Sequence, residues 1–183
     1  MIIIKNYTIK KIIIATPAFR AAELLQTVDV ELAESLQEIP YASCAVVCLG
    51  YSKIQFRRLP ESFGFIVPSC ERRPILAASF TSNKFSHRAP DDRWLVRVFL
   101  GGACQEAVLE QSDTQLTEIA NSELQQILGV RGAPDLKMVV RWPQSMPQYH
   151  VGHIERIEQI EQHVTRLQNV VLIGNAYRGV GIP

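Results

Sequence analysis

Apolar residues recur along the chain at two spacings, every second residue and every third or fourth, and stretches of the two kinds alternate. Residues 10–17, Lys-Lys-Ile-Ile-Ile-Ala-Thr-Pro, form a β-branched run closed by proline, which predicts a buried strand feeding a turn. Good helix formers follow over 19–25, with Ala22 and Leu25 on the face that Phe19 begins. A second short helix is expected over 31–37, ending before Pro40. Ala45, Val46, Val47 and Leu49 mark a strand over 43–51. Residues 63–67 and 75–81 read as a β-hairpin whose tip carries Glu71, Arg72 and Arg73.

Over 93–100, Trp94, Val96, Val98 and Leu100 alternate with Arg93, Leu95, Arg97 and Phe99, a strand that ends at Gly101-Gly102. A helix over 114–128 gathers Leu116, Ile119, Ala120, Leu124 and Ile127 on one face. Ser112 or Asp113 caps its start and Gly129 stops it. After a strand over 137–142, the helical period returns over 152–167 with Ile154, Ile157, Ile160, Val164 and Leu167. A final strand at 170–173 runs into Gly-Asn-Ala-Tyr-Arg-Gly-Val-Gly-Ile-Pro.

Composition narrows the function classes. With 183 residues, 47% hydrophobic and 20% charged, the chain has the makeup of a globular domain rather than a disordered one. Nineteen Lys and Arg against eighteen Asp and Glu leave a net charge of +1, so no global field attracts nucleic acid. The longest apolar runs, 12–15, 45–49 and 170–173, are far short of the roughly 20 residues that span a bilayer. The N-terminus places its isoleucines ahead of its first lysine, which is not the order of a secretory signal. Cys44, Cys48, Cys70 and Cys104 form no CxxC pair, and His87, His150, His153 and His163 share no ligand spacing with them. No metal is expected, and a reducing cytoplasm is the expected compartment.

The glycine-rich ending is informative because a strand followed by such a turn ordinarily delivers the chain to an anion-binding helix N-terminus. No GxGxxG fingerprint occurs anywhere in the sequence. The pattern is that of the closing half of a nucleotide site without its opening half, so a fragment, or one half of a split protein, is expected.

Several segments together carry a family resemblance. They are Ala-Thr-Pro-Ala at 15–18, Phe-Gly-Phe-Ile-Val-Pro-Ser at 63–69, Phe-Ser-His-Arg-Ala-Pro at 85–90, Phe-Leu-Gly-Gly at 99–102, Arg-Trp-Pro-Gln-Ser-Met-Pro-Gln-Tyr at 141–149, Gly152-His153 and the terminal 174–183. From about Lys11 onward the chain resembles the FAD-dependent protoporphyrinogen or coproporphyrinogen oxidases of haem biosynthesis, within the monoamine-oxidase-like flavoproteins. The resemblance implies a mixed α/β fold (α+β in arrangement), a mixed sheet with flanking helices. It would be the substrate-side part of a two-domain flavin oxidase that lacks the N-terminal dinucleotide-binding βαβ unit. Residues 1–40 are then a partial flavin-domain segment, 41–136 the substrate-binding sheet and helix, and 137–183 the return to the flavin-binding domain.

The same resemblance assigns sites. Asn175, Val180, Gly181 and Ile182 are expected against the flavin, with Gly179 supplying the turn and Trp142 an aromatic neighbour. Phe63 and Phe80 are expected to line the tetrapyrrole pocket, where flat rings suit a flat macrocycle. Arg97 is a candidate for propionate carboxylates; Arg72 and Arg73 are too, although a hairpin tip favours solvated charge. His153 belongs to the Gly-His turn that opens the last helix. Glu155, Glu158 and Glu161 are expected on that helix's solvent side, paired with Arg156 and Arg166.

The implied function is oxidation of a porphyrinogen to a porphyrin with FAD and oxygen, and the isolated chain is expected to be inactive. Peripheral association with the cytoplasmic membrane face goes with the family. Two alternatives stay open. One is a non-catalytic, partner-dependent binding module, since exposed strand edges recruit other chains, including copies of this one. The other is an amine oxidase or desaturase-like flavoenzyme, against which the pairing of Pro147-Gln148-Tyr149 with Gly152-His153 favours the porphyrinogen branch.

Overall fold

The computed structural model describes residues 10–179. In chain order its main elements are β1 (Ile12–Ile14), α1 (Ala18–Leu25), α2 (Val30–Gln37), β2 (Tyr41–Ser52), β3 (Gly64–Ile66), β4 (Ala77–Phe80), α3 (Thr81–Lys84), β5 (Arg93–Gly101), α4 (Asp113–Leu128), β6 (Leu136–Pro147), α5 (His153–Arg166) and β7 (Val170–Leu172). The described residues sort into two compact units, one from segments 10–41 and 147–179, the other from 42–146.

In the first unit β1 and β7 pair in parallel, Ile12 opposite Val170 and Ile14 opposite Leu172. Ile14 enters the core while Ile13 and its partner Val171 stay exposed, so the pair is covered on one face and β1 is not buried throughout as its apolar run predicts. Helix α1 begins at Ala18, whose N–H donates to the Tyr41 hydroxyl at 2.8 Å, because Pro17 offers no capping side chain. Its buried stripe is Ala18, Ala21, Ala22 and Leu25. Phe19, expected to lead that stripe, instead stands half-buried with its ring edge-on to Tyr41 at 5.2 Å. The alanines let α1 approach Leu32, Ala33 and Leu36 of α2, and Ile157 and Ile160 of α5 complete this core. Ile154 points outward; the buried position one residue earlier is His153.

Helix α2 is held at its start by Asp29. One carboxylate oxygen accepts from the Leu32 N–H at 2.9 Å and the other lies 3.0 Å from His163 Nδ1 on α5. The Leu32 N–H bond, then His163, hold the Asp29 carboxyl below its ordinary value.

In the second unit the strand order is β3-β4-β5-β2-β6. β2 and β5 pair antiparallel with Val47 opposite Val98, and β4 joins β5 with Ala78 opposite Val98. β6 also runs against β2. The Asp135 N–H donates to the Gly50 carbonyl at one end, and the Gln144 N–H reaches Ser43 Oγ at the other. Period-two alternation sends Val47, Leu49, Tyr51, Phe80, Trp94, Val96, Val98 and Leu100 to one face, where Leu116, Ala120 and Leu124 of α4 cover them. Helix α4 starts in a capping box between Ser112 and Gln115 and stops at Gly129, whose φ of 67° is the left-handed region glycine favours. Asn83 on α3 accepts from the Trp94 indole N–H at 2.9 Å and donates to the carbonyls of Pro60 and Ser62, tying a loop to the core.

Two expectations change here. The chain was expected to leave the second unit at 137, but it stays there to Met146 because β6 is the partner of β2. Arg73 is not a solvated tip charge. Its guanidinium lies 3.0 Å from the carboxylate of Glu123, which is 6% exposed on α4, and it also reaches Gln126.

Two stability outcomes follow from these contacts. Asp29→Ala should cost about 1 kcal/mol at pH 7, the usual worth of an N-cap, whereas Asp29→Asn keeps an acceptor and most of the stability. A lowered folded-state pKa means the charge contribution is complete above about 3.9 and is lost as pH falls through the folded value. Urea unfolding across pH should therefore show the gap between wild type and Asp29→Asn closing at acid pH. Arg73→Ala should cost about 2 kcal/mol by leaving the Glu123 carboxylate unpartnered, and adding Glu123→Gln should recover much of that loss.

Candidate functional site

Each unit presents one surface that its own core does not consume. In the first, β7 delivers the chain into the turn 173–179. Gly174 sits at φ 142°, a backbone region that L side chains rarely adopt. The turn is clamped by the segment that opens α5. The Tyr149 hydroxyl donates to the Asn175 carbonyl, and His153 Nε2 lies 3.1 Å from the Tyr177 carbonyl. Because a carbonyl only accepts, that contact places the ring hydrogen on Nε2. The rings of Tyr149 and His153 stack at 4.3 Å, so one fixes the other. Arg178 grips Glu161 of α5 through two nitrogens, and this fork holds the Glu161 carboxyl below its ordinary value. The acidic face of α5 is thus not paired as expected: Glu161 takes Arg178, while Arg156 takes Glu38.

Behind the turn, the Tyr177 hydroxyl and His153 Nδ1 are buried without a hydrogen-bond partner. Burial, with Tyr41 nearby, pushes the Tyr177 phenol up to about 12, so it stays neutral. In front lies an open groove of about 900 Å³ lined by 170–174, 177–179 and the flank of α5. A Cβ on Gly179 would meet nothing within 4 Å among the described residues, and the Asn175 side chain is exposed. Among the described residues, then, nothing packs against position 179, and the exposed Asn175 lies on the same turn. This turn fits a ligand that needs close backbone approach, as a flavin ring does. Val180, Gly181 and Ile182, the other expected flavin contacts, lie outside the described residues.

In the second unit, the sheet face away from α4 carries Ile66, Ala77, Ser79, Leu95, Arg97, Phe99, Cys48, Leu136 and Met138, as the strand registers require. Two shallow grooves run across it. One of about 480 Å³ lies over β2, β5 and β6, the other of about 630 Å³ over β3, β4 and β5. Trp142 stands on β6, in register with Met138 and 50% exposed. Phe63 is 63% exposed at the rim of the second groove. Phe80 corrects the expectation of a pocket-lining ring. It is 1% exposed, with Phe65 and Trp94 against it, because its pairing with Val96 turns it to the α4 face.

The family of flavin containing amine oxidoreductases matches residues 5–183. The chain belongs to that family. Among its curated relatives in the family, the coproporphyrinogen III oxidase of Bacillus subtilis (strain 168) is 31% identical over 94% of this chain and 36% of its own length. The chloroplastic protoporphyrinogen oxidase 1 of Arabidopsis thaliana is 28% identical over 94% of this chain and 34% of its own. The chain therefore spans about a third of the length of these relatives. A solved structure from Exiguobacterium sp. 255-15, provisionally described as a protoporphyrinogen oxidase, superposes with a TM-score of 0.74 at 25% identity, covering 93% of this chain and 37% of that one. Reduced UDP-galactopyranose mutase, at 13% identity and a TM-score of 0.72 over 91% of this chain and 35% of its own, shares the fold. A flavin is the cofactor of the family to which the chain belongs.

Sequence reasoning missed the clamp that holds the turn carrying Asn175. The signal was an aromatic pair four residues apart, Tyr149 and His153, across a glycine at a helix start. Tyr149→Phe removes the bond to the Asn175 carbonyl. Amide hydrogen exchange over 174–178 should then quicken about fivefold, as the loss of one bond of about 1 kcal/mol implies, with the rates in α4 unchanged.

Proposed function

We propose that this chain supplies the porphyrinogen-facing sheet and a flavin-contacting turn of an FAD-dependent porphyrinogen oxidase of haem biosynthesis. One observation carries the reading: an antiparallel sheet covered by a helix on one face and left bare, largely apolar and cation-bearing on the other. Such a face matches a large planar macrocycle with acidic substituents better than it matches a slender amine. The names of the relatives support the same substrate class. When bound, the flavin takes hydride equivalents from the macrocycle and passes the electrons to oxygen.

The chain's own residues bind and orient. Ile66, Phe99 and Met138 offer the ring an apolar floor that displaces water, and Phe63 stands at its rim. On the flavin side, Asn175 and the backbone of its turn are held by Tyr149 and His153, with Val180, Gly181, Ile182 and Trp142 assigned to the same role by the resemblance.

Coproporphyrin III and protoporphyrin IX are stable oxidised stand-ins for the substrates, and their Soret bands report binding. The purified chain should bind them, and Phe99→Ala should weaken binding about tenfold, the effect of deleting an aromatic anchor. Given FAD alone, the chain should show no oxidase turnover. Mixed with the dinucleotide-binding βαβ part of a family member, it should acquire flavin. Failure of both porphyrins to bind, or turnover by this chain with FAD alone, would contradict the reading.

A further inference from the structure

The bare sheet face carries a charge that the fold does not use. Arg73, Arg93 and Arg141 are each paired with a carboxylate, on Glu123, Asp135 and Asp113 respectively. Arg97, at the middle of β5, has no ion-pair partner among the described residues. Its neighbours across the sheet are Cys48 on β2 and Ser79 on β4, and its guanidinium lies 5.4 Å from the centroid of the Phe99 ring. Burial pushes the Cys48 thiol up even with Arg97 beside it, so no thiolate neutralises the cation. A mid-strand arginine among apolar and small neighbours contributes little to sheet pairing, which rewards opposite charges or apolar contacts. Arg97 also lines both grooves, so anything lying across the face meets it.

We propose that Arg97 is the residue that recognises a carboxylate substituent of the bound tetrapyrrole, forking its guanidinium around the acid while the macrocycle rests on the apolar surface to either side. Planar bidentate pairing is the geometry arginine offers and lysine does not. Phe99 stacked near the guanidinium holds the fork over the sheet rather than letting it trail into water. This inference rests on the porphyrinogen reading and adds to it a determinant of acid against neutral ligand.

The test titrates the full chain with coproporphyrin III and with its tetramethyl ester, following the Soret band. Wild type should prefer the acid. Arg97→Gln should weaken acid binding about tenfold or more, the worth of a charged hydrogen-bonded pair, and leave the ester unchanged. Arg97→Lys should keep part of the preference, and Arg58→Gln, on an exposed loop, should keep all of it. Thermal unfolding of each variant monitors folding. Equal loss of acid and ester in Arg97→Gln, or an acid preference surviving in it, overturns the assignment and leaves the porphyrin reading standing. Binding of neither ligand by wild type overturns both.

Discussion

The register of β2 against β5 is the constraint on which the second unit depends. These strands pair from Cys44 opposite Gly101 through Ser52 opposite Arg93, and each residue's face is fixed by that pairing. A slip of one residue would bring Arg97 and Cys48 under α4 and expel Val96, Val98 and Val47 into water. The cost of such an exchange keeps the register single. Both surfaces of the sheet are therefore one decision: the same alternation that builds the core with Leu116, Ala120 and Leu124 also lays out the bare face. The bare face is the complement of packing, because every side chain the core rejects is delivered to it in a fixed row.

The first unit solves a different problem, holding a glycine-rich turn still without filling it. Regular pairing ends at Leu172, so the carbonyls of 175 and 177 need other donors. Tyr149 and His153 provide them, and both belong to the segment opening α5, whose Ile157 and Ile160 are anchored in the core. The turn thus inherits the rigidity of a packed helix, while among the described residues nothing packs over Gly179 and the Asn175 side chain stays exposed. The buried Tyr177 ring beneath it serves as the floor, and its raised pKa keeps that floor uncharged.

Much of this was legible in the sequence because it is written in local period. The alternation over 93–100 gave β5, Ser112 and Gly129 gave the ends of α4, and the β-hairpin with its charged link gave β3 and β4. What the sequence did not reveal depends on partners remote along the chain. Phe80 was misplaced because a hairpin pattern does not say which face the neighbouring strand will cover; its pairing with Val96 decides that. Arg73 and Glu123 are fifty residues apart, and a charge at a turn gives no sign of a buried carboxylate on a distant helix. Ile154 was assigned to the core because it is apolar, yet the buried slot goes to His153, whose ring is tied to a backbone carbonyl and stacked on Tyr149. The return at 137 was misread for a similar reason, since β6 looks like any connecting strand until β2 is seen to need a partner.

Architecture alone does not choose the chemistry. The same arrangement of strands and helices superposes on a sugar-nucleotide mutase at 13% identity, so the backbone is compatible with more than one substrate. What distinguishes this chain must lie in side chains that the backbone tolerates but does not require. On the bare face those are few. Ile66 is 83% exposed, and Phe99, Met138 and Trp142 share the surface, an apolar display that a folded chain gains nothing by keeping in water. Set among them, Arg97 contributes neither to the core nor, among the described residues, to an ion pair. A surface that is apolar where solvent would favour charge, and charged where sheet pairing would favour an apolar residue, is explained by neither folding nor solubility. Both departures would be removed by the ligand proposed above, a flat hydrophobic ring that carries an acid.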